Sequence, residues 1–215
     1  MHVWEKFKVR FADDAPEGFF TRDGISTLAK RIVSNAAWIN TQLQQDTLLY
    51  PTFMHGDFKT ANFFFQKNNS NSEEIVLAID WQWSGIGLGA MDVAYLFVTS
   101  IGMNVLEKHE DSLLQYYYTS LADKVAERGG DLRSEYPFTV FMKHFRYSVL
   151  EYGKTALSYF WASCTPSTCR ELANDRNRGL AYRSIEHALR LVDVMHSYLQ
   201  HVEKERDEVV LSNDF

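Results

Sequence analysis

Apolar residues recur at helical spacing in one long segment near the start of the chain. They lie three and four positions apart, at Ile25, Leu28, Ala29, Ile32, Val33, Ala36, Ile39 and Leu43. This spacing predicts an amphipathic helix over residues 26–50 that buries one face in a core. Pro51 ends it, because proline cannot continue a helix. Residues 1–20 are mixed in pattern, and Ala15 to Gly18 have the composition of a turn.

The period changes after Pro51. Residues 52–54 form a short extended segment, 63–65 a brief apolar strand and 75–79 a β-branched strand. Between the last two lies the segment 66–74, which is rich in Asn and Ser and has turn chemistry. Two short strands around a polar turn predict an antiparallel hairpin.

After Asp80 the pattern is helical throughout. Helical segments cover roughly 90–103, 109–128, 136–162 and 170–208, with breaks at Gly129–Gly130 and in the segment CTPSTC. The fold class that follows is mainly α with a small β-hairpin near its start. We expect residues 1–215 to form a single unit, since a chain of this length can bury a sizeable core.

Charge and cysteine usage narrow the class of protein. The chain has 22 Lys and Arg against 28 Asp and Glu, a net charge of −6, which argues against broad nucleic-acid binding. No apolar run is long enough to span a membrane, and the first residues lack the apolar core of a signal peptide. Cys164 and Cys169 match neither a zinc motif nor a CxxC motif, so we expect free thiols in a loop between helices, with a local disulfide between them as the alternative. These features predict a cytoplasmic protein with neither a nucleic-acid nor a membrane partner.

Three polar residues lie where the hairpin would concentrate them. Asp57 precedes the first strand, Asn62 opens it and Asp80 follows the second. In an antiparallel hairpin the start of one strand lies beside the end of the other, so Asn62 and Asp80 should be neighbours. Oxygen ligands of this kind suit Mg²⁺. Asp57 would then orient or deprotonate a hydroxyl nucleophile, as phosphoryl transfer requires.

The spacing of these residues is the most specific signal in the chain. His55, Asp57 and Asn62 fit H-x-D-x-x-x-x-N, and a strand, a turn and a second strand then lead to Asp80. This is the layout of a kinase catalytic loop and its metal-binding aspartate. The segments 55–65 and 79–97 resemble the motifs of the aminoglycoside phosphotransferase and choline kinase-like superfamily, which has a protein-kinase-like fold. The DWQ sequence at 80–82 is similar to its ecdysteroid-kinase-like branch.

The resemblance implies a role for each of these residues. Asp57 would be the catalytic base, Asn62 and Asp80 would be Mg²⁺ ligands, and His55 and Asp92 would support the loop. It also implies MgATP-dependent phosphoryl transfer to a hydroxyl of a small-molecule acceptor. The helical region 90–208 would shape the acceptor pocket. For Lys59 two interpretations stay open, a contact with the γ-phosphate of ATP and a solvated loop lysine.

The segment before the loop departs from the pattern of such kinases. They carry an N-terminal lobe with a phosphate-covering loop and a strand lysine. Residues 1–54 contain no glycine-rich loop, so we expect only a C-terminal lobe: a leading helix (26–50), a catalytic loop with the hairpin (52–80) and the helical region. Two functions follow as alternatives, a small-molecule phosphotransferase and a truncated, catalytically inactive kinase-like protein that acts as a binding or interaction module.

Three further patterns have less specific interpretations. Residues 85–90 fit the dinucleotide motif G-x-G-x-x-G/A, but no second parallel strand follows, so a flexible turn into a helix is the better interpretation. Most aromatic residues between 116 and 161 are expected in the core, with a pocket for a cationic acceptor as the alternative. The histidines at 144, 187, 196 and 201 lack metal-ligand spacing and are expected to pack or to lie on helix surfaces.

Overall fold

The structure, a computed structural model, describes residues 2–67 and 74–213. Most of these residues are helical. The α-helices are α1 His2–Arg10, α2 Leu28–Leu49, α3 Gly89–Ser100, α4 Met103–Ala126, α5 Leu132–Glu135, α6 Phe138–Ser158, α7 Pro166–Glu171, α8 Leu180–Arg183 and α9 Ile185–Asn213. The short strands between α2 and α3 are β1 Thr52–Met54, β2 Phe63–Lys67, β3 Glu74–Ala78 and β4 Gly85–Gly87. The predicted class, mainly α with a small hairpin, is confirmed.

The predicted hairpin is formed by β2 and β3. They pair antiparallel with Phe63 opposite Ala78. The central part of the predicted turn, residues 68–73, lies outside the described residues.

A second antiparallel ribbon, between β1 and β4, corrects one interpretation of the sequence. Gly85 to Gly87 form a strand opposite residues 52–54 rather than a flexible turn. A side chain at Gly87 would collide with the side chain of Met54, so glycine allows the two strands to approach.

The N-terminal segment is more regular than its pattern indicated, because α1 forms its first half. Trp4, Phe7 and Phe11 lie on one face of this segment and are buried. The ring of Phe7 stacks on Trp161 with centroids 4.3 Å apart. Charged residues between the aromatic positions obscure the helical period in so short a segment.

The prediction of one helix over 170–208 is wrong. The chain there forms the end of α7, then α8 and then α9. Asp175 accepts the backbone N–H of Asn177 in a local turn, and Gly179 precedes the first residue of α8. Cys169 lies in α7 rather than in a loop, and Cys164 precedes that helix. Both are buried free thiols, with sulfur atoms 3.6 Å apart.

The core lies where α2, α3, α6 and α9 pack together. Its largest fully buried side chains are Trp4, Trp161, Phe7, Phe11, Phe141, Phe145, Ile25, Leu28, Ile39, Leu88, Leu114 and Leu150. Through this packing α3 is fixed against α6, and its first turn meets the loop between β1 and β2. In the part of the chain that the structure describes, no helix has the length and apolar character needed to cross a bilayer.

Candidate functional site

The loop that carries the motif begins with two backbone N–H groups held by one carboxylate. Asp92, in the first turn of α3, accepts the N–H of His55 at 2.7 Å through Oδ2. Its Oδ1 accepts the N–H of Gly56 at 2.9 Å. Hydrogen bonds to a charged acceptor are stronger than neutral ones. The start of the loop is therefore attached to α3 at two points.

Two further residues of α3 hold the rest of the loop. The hydroxyl of Tyr95 lies beside the carboxylate of Asp57 and lowers the pKa of that carboxyl. The Oγ of Ser100 accepts the backbone N–H of Thr60 at 3.0 Å. Residues 92, 95 and 100 share one face of a helix. One helix face thus positions the loop along its length.

The ring of His55 links the loop to the end of β3. Asp57 donates its backbone N–H to Nδ1 of His55 at 3.2 Å. Because a backbone amide can only donate, Nδ1 is unprotonated, and Nε2 donates to the carbonyl oxygen of Ile79 at 2.8 Å. The ring is buried, with both nitrogens engaged within the protein. This arrangement supports the loop and leaves no ring nitrogen for a reacting group.

The carboxylate of Asp57 is largely buried and receives several hydrogen bonds. Lys59 Nζ lies 2.8 Å from Oδ2, and Asn62 Nδ2 donates to the same oxygen at 3.0 Å. Burial raises the pKa of the Asp57 carboxyl, but these donors, the charge of Lys59 and the hydroxyl of Tyr95 lower it. The net effect is a pKa below the ordinary 3.8. Asp57 is therefore ionised at neutral pH, held in one orientation.

The side chain of Asn62 is buried, and its neighbours fix its orientation. Its Nδ2 donates to the backbone oxygen of Asp57 at 2.8 Å as well as to the carboxylate. Both partners are acceptors only, so the amide nitrogen faces Asp57 and the amide oxygen is directed away from it. The backbone N–H of Ile79 donates to the carbonyl of Asn62 at 2.9 Å. This bond continues the hairpin ladder and places Asn62 opposite the residue that precedes Asp80.

Asp80 has an unusual backbone conformation. Its φ of 63° and ψ of 61° lie in the left-handed region, and among the described residues no other non-glycine residue has a positive φ. This conformation costs an L-residue roughly 1–2 kcal/mol, less for Asp than for most. Backbone strain of this kind clusters at functional sites, where the surrounding structure maintains it. The side chain is exposed at the end of the hairpin.

The donor set at this end of the hairpin is small and consists of oxygen atoms. No three His, Cys, Asp or Glu side chains within residues 2–67 and 74–213 form a group that could hold a metal ion. Asn62 and Asp80 provide one amide oxygen and one carboxylate. Such a pair suits Mg²⁺, which keeps several waters and takes phosphate oxygens, better than zinc, which needs three or four protein ligands.

Comparison with known proteins decides the family. The family model described as the ecdysteroid kinase-like family matches residues 7–129, more than half of the chain. The chain belongs to the ecdysteroid kinase-like family. The matched segment contains the loop, the hairpin and α3, so the resemblance noted from the motifs is confirmed. A search of curated proteins and of solved structures gives no match. At the family level, the ecdysteroid kinase-like proteins are kinase-like small-molecule phosphotransferases.

A cavity of about 270 Å³ opens beside the loop of this ecdysteroid kinase-like chain. Its walls come from the end of β1, from α3 and α6, and from the turn after α6. They consist of Met54, Gly56, Met91, Asp92, Tyr95, Ser148, Glu151, Tyr152, Thr155 and Phe160. Tyr95 lies in this wall and also contacts Asp57, so one side chain connects the cavity with the candidate base. We call it the loop cavity.

Two residues that hold the loop were not found from the sequence. Tyr95 and Ser100 carry no motif of their own. Their signal is their position three and eight residues after Asp92, on the same helical face. That periodicity becomes informative only once Asp92 is known to face the loop.

The aromatic residues expected in the core divide into groups. Tyr118, Tyr147 and Trp161 are buried, as predicted. Tyr116 and Tyr159 are 72% and 74% exposed, so the prediction is wrong for them. Tyr116 lies on the solvent side of α4, and Tyr159 follows the last residue of α6. Tyrosine occurs both in cores and at surfaces, so the helical spacing of apolar residues does not show which of the two applies.

Proposed function

We propose that this site transfers the γ-phosphoryl group of ATP to a hydroxyl of a small molecule. Asp57 acts as the base, and Asn62 and Asp80 hold Mg²⁺. The observation that carries the proposal is the chain of hydrogen bonds from Asp57 through Asn62 to Ile79. This chain of bonds supports the proposal because it joins Asp57 to the strand end that directly precedes Asp80. Phosphoryl transfer depends mainly on such positioning and on charge stabilisation.

Asp57 acts on the proton of the acceptor. Its ionised carboxylate orients the hydroxyl, whose oxygen forms a bond to the γ-phosphorus. The bond from that phosphorus to the bridging oxygen of ADP breaks, and the hydroxyl proton passes to an Oδ atom of Asp57. The low pKa places this transfer late in the reaction, after the attacking oxygen has become acidic.

Lys59 provides a positive charge beside this reaction. Its ammonium pairs with Asp57 at 2.8 Å. A triphosphate at the site would compete for this cation, which would then lie against the transferred group. Mg²⁺ would neutralise charge on the phosphate oxygens, with the amide oxygen of Asn62 and the carboxylate of Asp80 as its protein ligands.

The acceptor would enter from the loop cavity. Its hydroxyl would approach Asp57 past the ring of Tyr95, while the rest of the molecule lies among Tyr152, Phe160 and Glu151. The ring of Tyr95 meets that of Tyr152 edge to face at 5.5 Å, which gives this wall a fixed aromatic surface. We propose that the chain acts as one lobe, with the helical region forming the acceptor side.

A second candidate function, a catalytically inactive binding module, is favoured by a different observation. Large apolar side chains are exposed in β1, on the hairpin and in the segment after the hairpin. They include Phe53, Phe64, Phe65, Val76, Leu77, Trp81, Trp83 and Ile86. An exposed apolar surface of this kind is typical of an interaction site.

Two measurements separate these functions. The purified chain is incubated with MgATP and a panel of small alcohols, and phosphorylated product is detected by mass spectrometry. Product formation that Asp57→Asn abolishes, and that Asp13→Asn at an exposed position leaves intact, supports the transferase. Absence of product, with Mn²⁺ and nucleotide still bound, supports the binding module.

The metal ligands are tested separately by Mn²⁺ titration in the presence of ATP. Asp80→Ala should weaken Mn²⁺ binding at least tenfold, because it removes the only proposed charged protein ligand. Equal affinity of Asp80→Ala and the wild type would contradict the proposed metal site.

A further inference from the structure

A larger cavity lies apart from the loop, between the end of α2, β1, the first turn of α3 and helices α4 to α6. Its volume is about 630 Å³. It is lined by Leu49, Tyr50, Pro51, Thr52, Gly89, Ala90, Tyr117, Leu121, Val125, Leu132, Glu135, Tyr136 and Phe141. No residue of the loop 55–62 is among them. We call it the bundle cavity.

The walls of the bundle cavity are mainly aliphatic and aromatic. Among the described residues that line the cavity, Glu135 alone is charged, and it is exposed at the rim. Small-molecule sites in proteins have volumes of roughly 300–1,000 Å³, with apolar walls and a few polar groups that fix orientation. The bundle cavity has this size and this composition.

Tyr136 provides a hydrogen-bond acceptor in the wall. Its hydroxyl lies 2.8 Å from Nδ1 of His144, and Nε2 of the same ring lies 3.0 Å from Asp46 Oδ2. A carboxylate can only accept, so Nε2 carries the hydrogen, and burial lowers the pKa of His144 and keeps the ring neutral. Tyr136 therefore donates to Nδ1. Its own oxygen keeps a lone pair for a further donor.

Tyr117 provides the complementary donor. No hydrogen bond to its hydroxyl is found within the described residues, and the absence of a side chain at Gly89 leaves space beside it. Burial and the negative charge of Asp92 raise the pKa of Tyr117, so the hydroxyl keeps its proton at neutral pH. A ligand hydroxyl could accept from Tyr117 and donate to Tyr136.

We propose that the bundle cavity binds an uncharged, ring-containing small molecule through a hydroxyl group. The rings occupy the apolar walls, and the hydroxyl pairs with Tyr117 and Tyr136. An anionic ligand is disfavoured, because Glu135 lies at the rim and Asp92 and Asp46 lie close behind the two tyrosines. This site does not depend on phosphoryl transfer and is distinct from the loop cavity.

The test uses 2-naphthol as probe and ligand-observed NMR on the full chain, without nucleotide or metal. Saturable binding is expected. Leu121→Trp fills the bundle cavity and should abolish it. Thr155→Trp, which fills the loop cavity, should leave it unchanged. Tyr117→Phe removes only one hydroxyl and should weaken binding about fivefold, as expected for one lost hydrogen bond.

The controls distinguish loss of the site from unfolding of the variant, and test the effect of ligand charge on binding. Circular dichroism of each variant shows whether it folds, and Tyr117→Phe decides the question if Leu121→Trp does not. The anion 2-naphthoate should bind more weakly than 2-naphthol. Unchanged 2-naphthol affinity in Tyr117→Phe, or loss of binding in Thr155→Trp alone, would overturn the proposal.

Discussion

Asp92 Oδ2 accepts the backbone N–H of His55 at 2.7 Å, across the junction between a helix and the loop that carries the motif. Its other oxygen accepts the next N–H, that of Gly56. A carboxylate at the first turn of a helix is also favoured by the helix dipole. The start of the loop is thus fixed to α3, which the core holds in place, in addition to its contacts with the end of β3.

We expect Asp92→Asn to destabilise the chain, although the asparagine side chain has nearly the same shape as that of aspartate. An amide has one acceptor oxygen, so one of the two N–H groups of the loop would face an NH₂ group. An unsatisfied or opposed donor costs about 1–3 kcal/mol. Urea unfolding followed by circular dichroism measures this loss. Asp13→Asn, at an exposed position, should change stability by less than about 0.5 kcal/mol, and equal effects of the two variants would contradict the role of Asp92.

We expect Gly56→Ala to lower the free energy of unfolding by more than the cost of placing alanine in a left-handed conformation. Gly56 has a φ of 83°, and a Cβ atom there would collide with the backbone carbonyl of Trp83. Gly129 provides a matched control, because it has the same φ but nothing within 4 Å of the added Cβ. Gly129→Ala should cost about 1–2 kcal/mol for the conformation alone.

The collision at Gly56 should add about 1–3 kcal/mol to that cost, as overpacking does in cores. Urea unfolding of both variants gives the difference directly. If the two substitutions destabilise the chain equally, Trp83 does not constrain the loop.

The hairpin and its end were predictable because the relevant contacts are local. Apolar residues at 63–65 and 75–79 flank one polar turn, and the register of a hairpin follows from a short stretch of chain. Asn62 and Asp80 could therefore be placed near each other from their positions at the two strand ends. The motif spacing then predicts Asp57 and His55 as residues of the same site.

The contacts made by α3 could not be predicted in the same way. Tyr95 lies beside Asp57 because the core fixes α3 against the loop. The local pattern of apolar and polar residues contains no information on that tertiary packing. The pairing of Thr52 with Gly87 also joins segments far apart in sequence. Glycine has no side-chain signal for a strand, so β4 resembled a turn.

Tyr95→Phe should raise the pKa of Asp57. The hydroxyl of Tyr95 lies beside the charged carboxylate of Asp57 and favours its ionised form. Removing the hydroxyl leaves the ring in the loop cavity but takes this stabilisation away. Carboxyl-carbon NMR of Asp57 during a pH titration measures the change. Tyr116→Phe, at an exposed position, should leave the pKa of Asp57 unchanged. An unchanged pKa of Asp57 in Tyr95→Phe would show that the Tyr95 hydroxyl does not stabilise the carboxylate in solution.

Asp57 should also make the stability of the chain depend on pH in the acid range. Its pKa in the folded chain lies below 3.8, the ordinary value that describes the unfolded chain. The folded state therefore binds fewer protons than the unfolded state in this range. Stability from Asp57 is fully present above 3.8 and is lost as pH falls through the lower, folded pKa.

The prediction is tested by comparing the wild type with Asp57→Asn in urea unfolding from neutral pH down through 3.8. Asn cannot ionise, so the destabilisation that it causes should be largest at neutral pH and should shrink in the acid range. Lys59→Met removes the cation that lowers the pKa of Asp57, so in that background the difference between Asp and Asn should depend less on pH. The other carboxyl groups titrate in the same way in both proteins of each pair, so their contributions to the pH dependence of stability cancel. A difference between wild type and Asp57→Asn that stays constant with pH would mean that Asp57 is not held as a charged group by Lys59, Asn62 and Tyr95.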